Sequence, residues 1–428
     1  NGGDKKLLMN TDILIIGGGA AGLFSAASTI LFSKENNLDL PSVTVVEKMK
    51  RCGRKIGITG KGRCNLTNTK GWEDFSIHIH PDKNFFRPAF YEMSNVRTME
   101  FFEKIGLPLV KERGDRVFPA SYRASDVTSV LLDYVKSNGV KVVTGFETVK
   151  IINRLSRQSS VPGETRFTAE SLSGSRIEAK YLILATGGLS YPSTGSTGSG
   201  YIFAKDLGHK IVNCFPSLTA LIPNNYSSCT LGGISLKNVS VSLIVNGNKV
   251  REEFGDLDFT TDGIEGPIGF KISREAVYNL KMGQKVSLSL DLKPAVSYDK
   301  LKRRIEKEVS GKRLPMNKLL LSYLPKALID PFMKLQRPLN YNNLPDKLKE
   351  WRFVIDSCVG YRRAVVTAGG VDLKEVNTKT MQSKIVEGLY FAGELLNLDA
   401  DTGGYNLQIA FSTGALAAKS IVREIATN

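Results

Sequence analysis

The chain has 428 residues, enough for two to three domains at about 150 residues each. Apolar residues make up 42% and charged residues 23%, the balance of a globular protein with a real core, which excludes a disordered or fibrous chain. A formal net charge of +16 favours anionic partners (nucleic acid, a membrane surface or phosphorylated ligands) without choosing among them.

Five cysteines (Cys52, Cys64, Cys214, Cys229, Cys358) are too few and too scattered for a disulfide framework, and no CxxC occurs. A reducing, cytoplasmic setting fits best. The uncharged run from Ile13 to Ser33, preceded by Lys5 and Lys6, has the length of a signal anchor. Gly17, Gly18, Gly19 and Gly22 fall inside it, and a membrane helix rarely carries that glycine density, so no membrane span is expected.

From the N-terminus, Thr11–Ile16 reads as a buried strand, Leu23–Phe32 as a helix and Ser42–Glu47 as a second strand, with the glycines between the first two. That order is the front half of a doubly wound parallel sheet. Ser125 and Asp126 open a helix that stops at Gly139. Lys141–Thr144, Thr148–Asn153, Arg166–Leu172 and Arg176–Ala185 read as strands, with residues 154–165 as a hairpin tip. The texture changes near Pro216. Val239, Val241, Leu243 and Val245 alternate up to Asn246-Gly247, a hairpin turn, and Lys285–Leu290 alternates in the same way. From Ser297 to Trp351 short helices are punctuated by Pro315, Pro325, Pro331, Pro338 and Pro345. Residues 216–356 are therefore expected to form an insert, mainly β over 216–296 and mainly helical over 297–356. It interrupts a first domain of 9–215 and 357–428, which closes with Leu389–Ala392 and a helix from about Gly403 to Thr427.

Gly17-Gly18-Gly19-Ala20-Ala21-Gly22 satisfies GxGxxG between a strand and a helix. Gly17 permits the tight turn, Gly19 lets backbone N–H groups approach a pyrophosphate, and Gly22 allows close helix–strand packing. The helix N-terminus adds about half a positive charge. Glu47 ends the second strand 25 residues after Gly22, where a carboxylate can accept both ribose hydroxyls and disfavours a 2′-phosphate. A flavin dinucleotide needs burial along its whole length, and three further glycine-rich segments offer it. Gly53–Asn68 could wrap the pyrophosphate and ribityl chain, with Lys48 and Lys55 among the cations beside it. Thr186-Gly187-Gly188 follows a buried strand. Gly393-Glu394 ends another, before Gly403-Gly404-Tyr405-Asn406-Leu407-Gln408 opens a helix whose N-terminus could face the N1–C2=O edge of a flavin.

With these motifs the sequence resembles the BaiN-like/aminoacetone-oxidase flavoprotein family. The family's GGGAAG, ITGxGRCNxTN, ATGG followed by YPxTGSTGxGY, VTAGGV and GLYFAGE…TGGYNLQxAFxTG stand at residues 17–22, 58–68, 185–201, 366–371 and 388–414. The resemblance spans essentially the whole chain in order. It implies an α/β fold: a doubly wound, glutathione-reductase-like FAD-binding Rossmann domain, interrupted by an insert with a β-barrel-like part and a helical part. It implies FAD as cofactor, with Gly17, Gly19 and Gly22 at the pyrophosphate and Glu47 at the adenosine ribose. Gly60, Gly62, Arg63, Asn65 and Thr67 would lie along the isoalloxazine and pyrophosphate loop. Val149 would hold adenine through its backbone, and Gly393, Glu394 and Tyr405 to Gln408 would hold the ribityl and flavin end. The chain departs from the family at Asn397 and Asp399-Ala400, and at Asp262-Gly263-Ile264-Glu265-Gly266-Pro267, where two acids replace a usual His and Ser.

The resulting expectation is an FAD-dependent oxidoreductase that moves a hydride between flavin N5 and a small organic substrate or NAD(P)H, the latter as a transient donor, since no second nucleotide-binding unit is present. No catalytic acid or base stands out; Tyr405 is a candidate, with packing as the plainer role. His78 and His80 point one way on a strand and could suggest a metal with Cys64, but the spacing lacks further partners and no metal is expected. Two alternatives stay open: a basic flavoprotein acting on RNA, and a flavin-binding protein without turnover. Residues 48–63 carry +7 and residues 300–318 carry +6, so two short segments hold most of the net charge. The first adjoins the FAD diphosphate loop; the second is the remaining nucleic-acid signal. Nucleic acid is not the expected partner.

Overall fold

The computed structural model describes residues 7–154, 165–226, 228–311 and 314–427, so residues 155–164 of the expected hairpin tip, and Lys5 and Lys6, lie outside it. The chain divides into two compact units, Asn1–Cys214 with Val366–Asn428, and Phe215–Val365.

The first unit is built on β1 (Leu8–Ile16), α1 (Ala20–Glu35), β2 (Val43–Glu47), α2 (Ala124–Ser137), β3 (Lys141–Thr144), β4 (Thr148–Asn153), β5 (Phe167–Ser171) and β6 (Arg176–Leu184). Its seven-stranded sheet has the order β3-β2-β1-β6-β5-β4, with Leu389–Phe391 also on β6. β3, β2, β1, β6 and Leu389–Phe391 are parallel neighbours, whereas β5 and β4 continue as an antiparallel meander. Parallel strands require crossovers, and the elements packed on the sheet bury its central strands. Ile13, Leu14 and Ile15 are accordingly fully buried, which is why β1 reads as an unbroken apolar run rather than an alternating one.

Helix α1 is nearly all apolar or small because it is covered on most sides. The C-terminal helix, Tyr405–Thr427, lies against it so closely that a Cβ on Gly414 would fall 2.8 Å from the Ala21 carbonyl oxygen. Phe24 of α1 seals this contact, its ring 4.7 Å from Phe411 and 5.8 Å from Phe102. The apolar stretch Ile13–Ser33 is thus strand, turn and buried helix. Among the described residues no helix is long and apolar enough to cross a membrane.

The second unit contains a closed barrel of β7 (Leu221–Pro223), β8 (Ile234–Val245), β9 (Asn248–Phe259), β10 (Ile264–Glu265), β11 (Val286–Asp291) and β12 (Trp351–Cys358), in the order β7-β10-β9-β8-β11-β12. Closure leaves no free sheet edge. Asn246 and Gly247 join β8 to β9 at φ of 50° and 87°, the left-handed pair a two-residue turn needs. Helix α3 (Gly266–Lys281) follows β10, and α4 (Tyr298–Val309) opens a run of short helices through Met316–Leu320, Lys326–Leu335 and Leu344–Lys349. Pro331 lies inside Lys326–Leu335 rather than between helices. On α4, Leu301 and Ile305 face inward, while Lys300, Arg303, Arg304 and Lys307 share the exposed side.

Candidate functional site

The glycine turn after β1 owes most of its glycines to its own packing. A Cβ on Gly17 (φ +112°) would stand 2.3 Å from the Ala185 carbonyl oxygen, and one on Gly22 would stand 1.8 Å from that of Gly17. On Gly18 it would meet the Cys52 sulfur at 2.6 Å. Gly19 is different. Its backbone is extended, at φ −88° and ψ −163°, and an added Cβ would meet nothing within 4 Å. Open space therefore lies in front of the N-terminus of α1. That terminus has no side-chain cap and no acidic residue in its first turn, and the first helical bond runs from Leu23 N–H to Gly19 O. The N–H groups of Ala20, Ala21 and Gly22 have no partner within the helix. They form a ready site for an anion.

Glu47, at the end of β2, is fixed beside this turn. Its two oxygens accept from Gly18 N–H at 2.9 Å and Met49 N–H at 2.8 Å. Burial raises its carboxyl above the ordinary range, against the pull of those two N–H groups and of Lys48 and Arg54. Each carboxylate oxygen has a second lone pair, so the group can still accept from a ligand hydroxyl.

The glycine-rich segments converge on one ion pair. Lys55 Nζ donates to Glu394 Oε2 at 2.5 Å and to Ser190 Oγ at 2.6 Å. Glu394 Oε1 accepts from Ser190 Oγ at 2.5 Å and from Thr367 N–H at 2.9 Å. One carboxylate thus ties residues from four stretches far apart in sequence. Gly393 (φ +74°) sits against the first turn of α1, where a Cβ would be 2.7 Å from the Ala21 Cβ, and Gly187 (φ +73°) and Thr186 lie beside Ser196 and Gly200. Lys48 reaches Thr197 Oγ1 at 2.6 Å.

Residues 56–62 form a 3-10 turn that breaks at Gly60 and Lys61 into left-handed backbone, with Gly62 and Cys64 also at positive φ. The Arg63 guanidinium stacks on Phe118 at 4.7 Å and pairs with Glu112 at 3.3 Å. Asn65, with its amide oriented to satisfy both neighbours, donates to Thr67 O at 3.1 Å and accepts from Gly404 N–H at 3.0 Å. Thr67 Oγ1 donates to Gln408 Oε1 at 2.7 Å. Gln408 Nε2 in turn donates to Met93 O, Thr98 Oγ1 and Ser412 Oγ, each at 2.9 Å. Gly404 (φ +97°) must be glycine, since a Cβ there would fall 2.4 Å from the Thr67 carbonyl oxygen. Asn406 brackets Ala400 by donating to its O and accepting from its N–H, and Leu407 is half-buried. Asn65, Thr67 and Gln408 thus build the seat of the C-terminal helix. Val149 lies apart at a bulge in β4, out of the ladder between Thr148 and Lys150 and half exposed.

Tyr405 is buried, edge-on to Phe75 at 4.8 Å and stacked on His78 at 4.3 Å, and burial with the Asp401 charge nearby raises its hydroxyl pKa. This is a packing position. Cys64 is fully buried and its thiol is pushed up to about 11 by burial. Native protein at pH 7.5 is therefore expected to leave Cys64 unlabelled by iodoacetamide over hours, with labelling only on denaturation, as read by peptide mass.

One constellation escaped the sequence. His78 Nδ1 lies 2.9 Å from Asp401 Oδ2, and His80 Nε2 lies 3.3 Å from Asp401 Oδ1. The paired strands Ile79–His80 and Asp399–Ala400 create it, joining residues more than 300 positions apart. Nothing local in either stretch announces it. Cys64 is not a member, and among the described residues no group of three or more His, Cys, Asp or Glu side chains could hold a metal. In the second unit, Asp262 pairs with Arg363 and lines a cavity of about 560 Å³ with Tyr226, Asp356, Cys358 and Arg362.

A Rossmann-type sheet with an open glycine turn, a carboxylate fixed beside that turn and glycine-rich loops at the same end has the architecture of a dinucleotide-binding domain. The chain belongs to the HI0933-like protein Rossmann domain family, which matches residues 11–420. It is 30% identical over 420 residues to the 3-dehydro-bile acid delta(4,6)-reductase of Clostridium scindens, covering 95% of this chain and 98% of that one. It is also 30% identical over 426 residues to the ribosomal RNA dihydrouridine synthase of Haemophilus influenzae, covering 96% and 98%. Among solved structures, the fold is shared with a 3-ketosteroid delta1-dehydrogenase from Sterolibacterium denitrificans, at a TM-score of 0.52 and 12% identity over 97% of this chain and 100% of that one. A quinol-fumarate reductase gives a TM-score of 0.53 at 15% identity, over 98% of this chain and 72% of the other. The protein is an FAD-dependent oxidoreductase.

Proposed function

We propose that the protein reduces a carbon–carbon double bond conjugated to a carbonyl, with NAD(P)H as the donor that recharges the flavin. The observation that carries the cofactor's placement is the open space at Gly19, which no packing of the chain itself requires. The diphosphate would lie there on the N–H groups of Ala20, Ala21 and Gly22, with the adenosine ribose on Glu47 and the adenine on the backbone at the Val149 bulge. The ribityl and ring would follow past Gly60, Gly62, Thr186, Gly187 and Gly393 to the N-terminus of the C-terminal helix. Bound in this way, FAD supplies a hydride at N5. The helix beginning at Tyr405 would stabilise negative charge at the near edge of the ring by about 0.3–2 kcal/mol. Lys55 and Glu394 hold the two walls at a fixed separation, while Gln408 holds the helix start.

The two relatives support this reaction type. A reduced 3-dehydro-bile acid and a dihydrouridine both arise by adding hydrogen across a double bond conjugated to a carbonyl. A small enone is the first reading. RNA is the second, favoured by the ribosomal RNA relative at equal identity and by the net charge of +16. Protein reduced anaerobically should be reoxidised by one of two added acceptors, a steroid 4-en-3-one or uridine-containing ribosomal RNA. Return of the flavin band with the steroid alone supports the first reading, and with RNA alone the second. Return with neither, but with oxygen or an amine-derived imine, would remove the proposed reaction.

A further inference from the structure

Adding hydrogen across a double bond takes a hydride and a proton, and the flavin cradle accounts only for the first. The chain's own proton store is the group at residues 78, 80 and 401. We propose that His78, Asp401 and His80 form a proton-holding array that takes up one proton as the flavin is reduced and releases it as the flavin is reoxidised; this rests on FAD occupying the cradle described above.

The geometry supports a store rather than a simple staple. Asp401 is 5% exposed, and each of its oxygens faces a different imidazole. A carboxylate so buried favours a positive charge close by, and imidazole is the side chain that gains and loses a proton near neutral pH. The carboxylate fixes the tautomers: Nδ1–H of His78 and Nε2–H of His80 point at it, and since Nε2 of His78 faces the Lys70 ammonium, Nδ1 of His80 is the nitrogen left to exchange a proton. Lys70 Nζ stands 3.4 Å from His78 Nε2. The His80 side chain is 25% exposed and the His78 side chain 14%, so solvent reaches the array through His80. Of the charged and titratable groups near it, Lys70 faces His78, Asp399 lies opposite His80 on the paired strand, Tyr405 stacks on His78, and Asp74 and Asp115 act on Tyr405.

The array is joined to the flavin end of the site by direct contact. The His78 ring stacks on Tyr405, the first residue of the C-terminal helix, and Asp401 lies four residues before it. Asn406 holds the intervening turn by donating to the carbonyls of Ala400 and Asp401. The balance closes. On reduction, two electrons and one proton go to the flavin and one proton goes to an imidazole. On turnover, the hydride forms a C–H bond at one alkene carbon and the stored proton forms one at the other. The flavin is left oxidised and the array without the stored proton.

The test is proton uptake during anaerobic photoreduction of the holoprotein with deazaflavin and EDTA, read with a pH indicator in weak buffer at pH 7; no substrate is needed. The double variant His78→Asn/His80→Gln keeps an N–H donor at each position and removes both titratable nitrogens. Compared under identical illumination, so that protons from EDTA oxidation cancel, the wild type should take up about one proton more per two electrons than the double variant, with equal FAD content. His80→Gln alone gives the same comparison if the double variant does not fold. Equal uptake by yellow wild type and yellow variant would overturn the array. Colourless wild type that does not bind added FAD would instead overturn the cofactor placement, and this inference with it.

Discussion

Replacing Gly19 by Asp should stabilise the apoprotein and abolish flavin binding at the same time. Gly19 is the N-cap of α1, its backbone is extended, and its added Cβ meets nothing within 4 Å, so an aspartate fits without strain. An Asp N-cap satisfies a free first-turn N–H and complements the helix dipole, together worth about 0.5–1 kcal/mol. A diphosphate on those same N–H groups would then face a carboxylate at about 4 Å, a repulsion of about 4 kcal/mol at an effective dielectric constant near 20. FAD affinity should fall by about 10²–10³-fold while the thermal midpoint of the apoprotein rises by about 1 °C. Fluorescence titration with FAD and calorimetry of the apoprotein measure the two. Unchanged FAD affinity in a stabilised protein would mean that the phosphates do not sit at α1. Gly22→Ala provides the contrast, because its Cβ collides with the Gly17 carbonyl at 1.8 Å and should damage fold and binding together.

The second large effect is expected at Glu394. Its carboxylate accepts from Lys55, Ser190 and the Thr367 backbone, and the two charged side chains are only 23% and 19% exposed. Removing one member of such a pair leaves the other charge poorly solvated, and deleting three accepted bonds adds to the cost. Glu394→Ala should lower apoprotein stability by about 2–4 kcal/mol in urea unfolding. Lys55→Met in the same chain should recover about 1 kcal/mol or more, because the stranded ammonium is gone. Additive losses in the double variant would show that the pair is not coupled.

Much of this site is legible in the sequence because its signals are local. The strand, the glycine turn and α1 follow one another without interruption, and Glu47 closes the unit at the end of β2. The ends of elements are less legible. Thr11–Ile16 extends back to Leu8 because β1 pairs with β6 as far as Arg176, and Leu23–Phe32 grows to Ala20–Glu35 because the turn glycines feed directly into the helix. Asn246-Gly247 marks its hairpin for the same local reason: left-handed backbone at both positions leaves few other residue choices. What stays hidden depends on contacts between distant stretches. His78 and His80 read as two histidines without spaced partners until Asp399–Asp401 arrives beside them. Arg63 is legible only as part of a basic glycine-rich loop; that its guanidinium stacks on Phe118 and pairs with Glu112 depends on a separate hairpin. The bonds of the Gln408 amide to Thr67, Met93, Thr98 and Ser412 are likewise invisible in the local sequence.

The cradle at α1 and the reaction assigned to it stand or fall on the flavin itself. The most direct measurement is the amount of FAD released per chain when the purified protein is denatured, after incubation with excess FAD and removal of the unbound dinucleotide. The account predicts about one FAD per wild-type chain and close to none for Gly19→Asp prepared identically. No FAD from the wild type, or equal FAD from both, would contradict it.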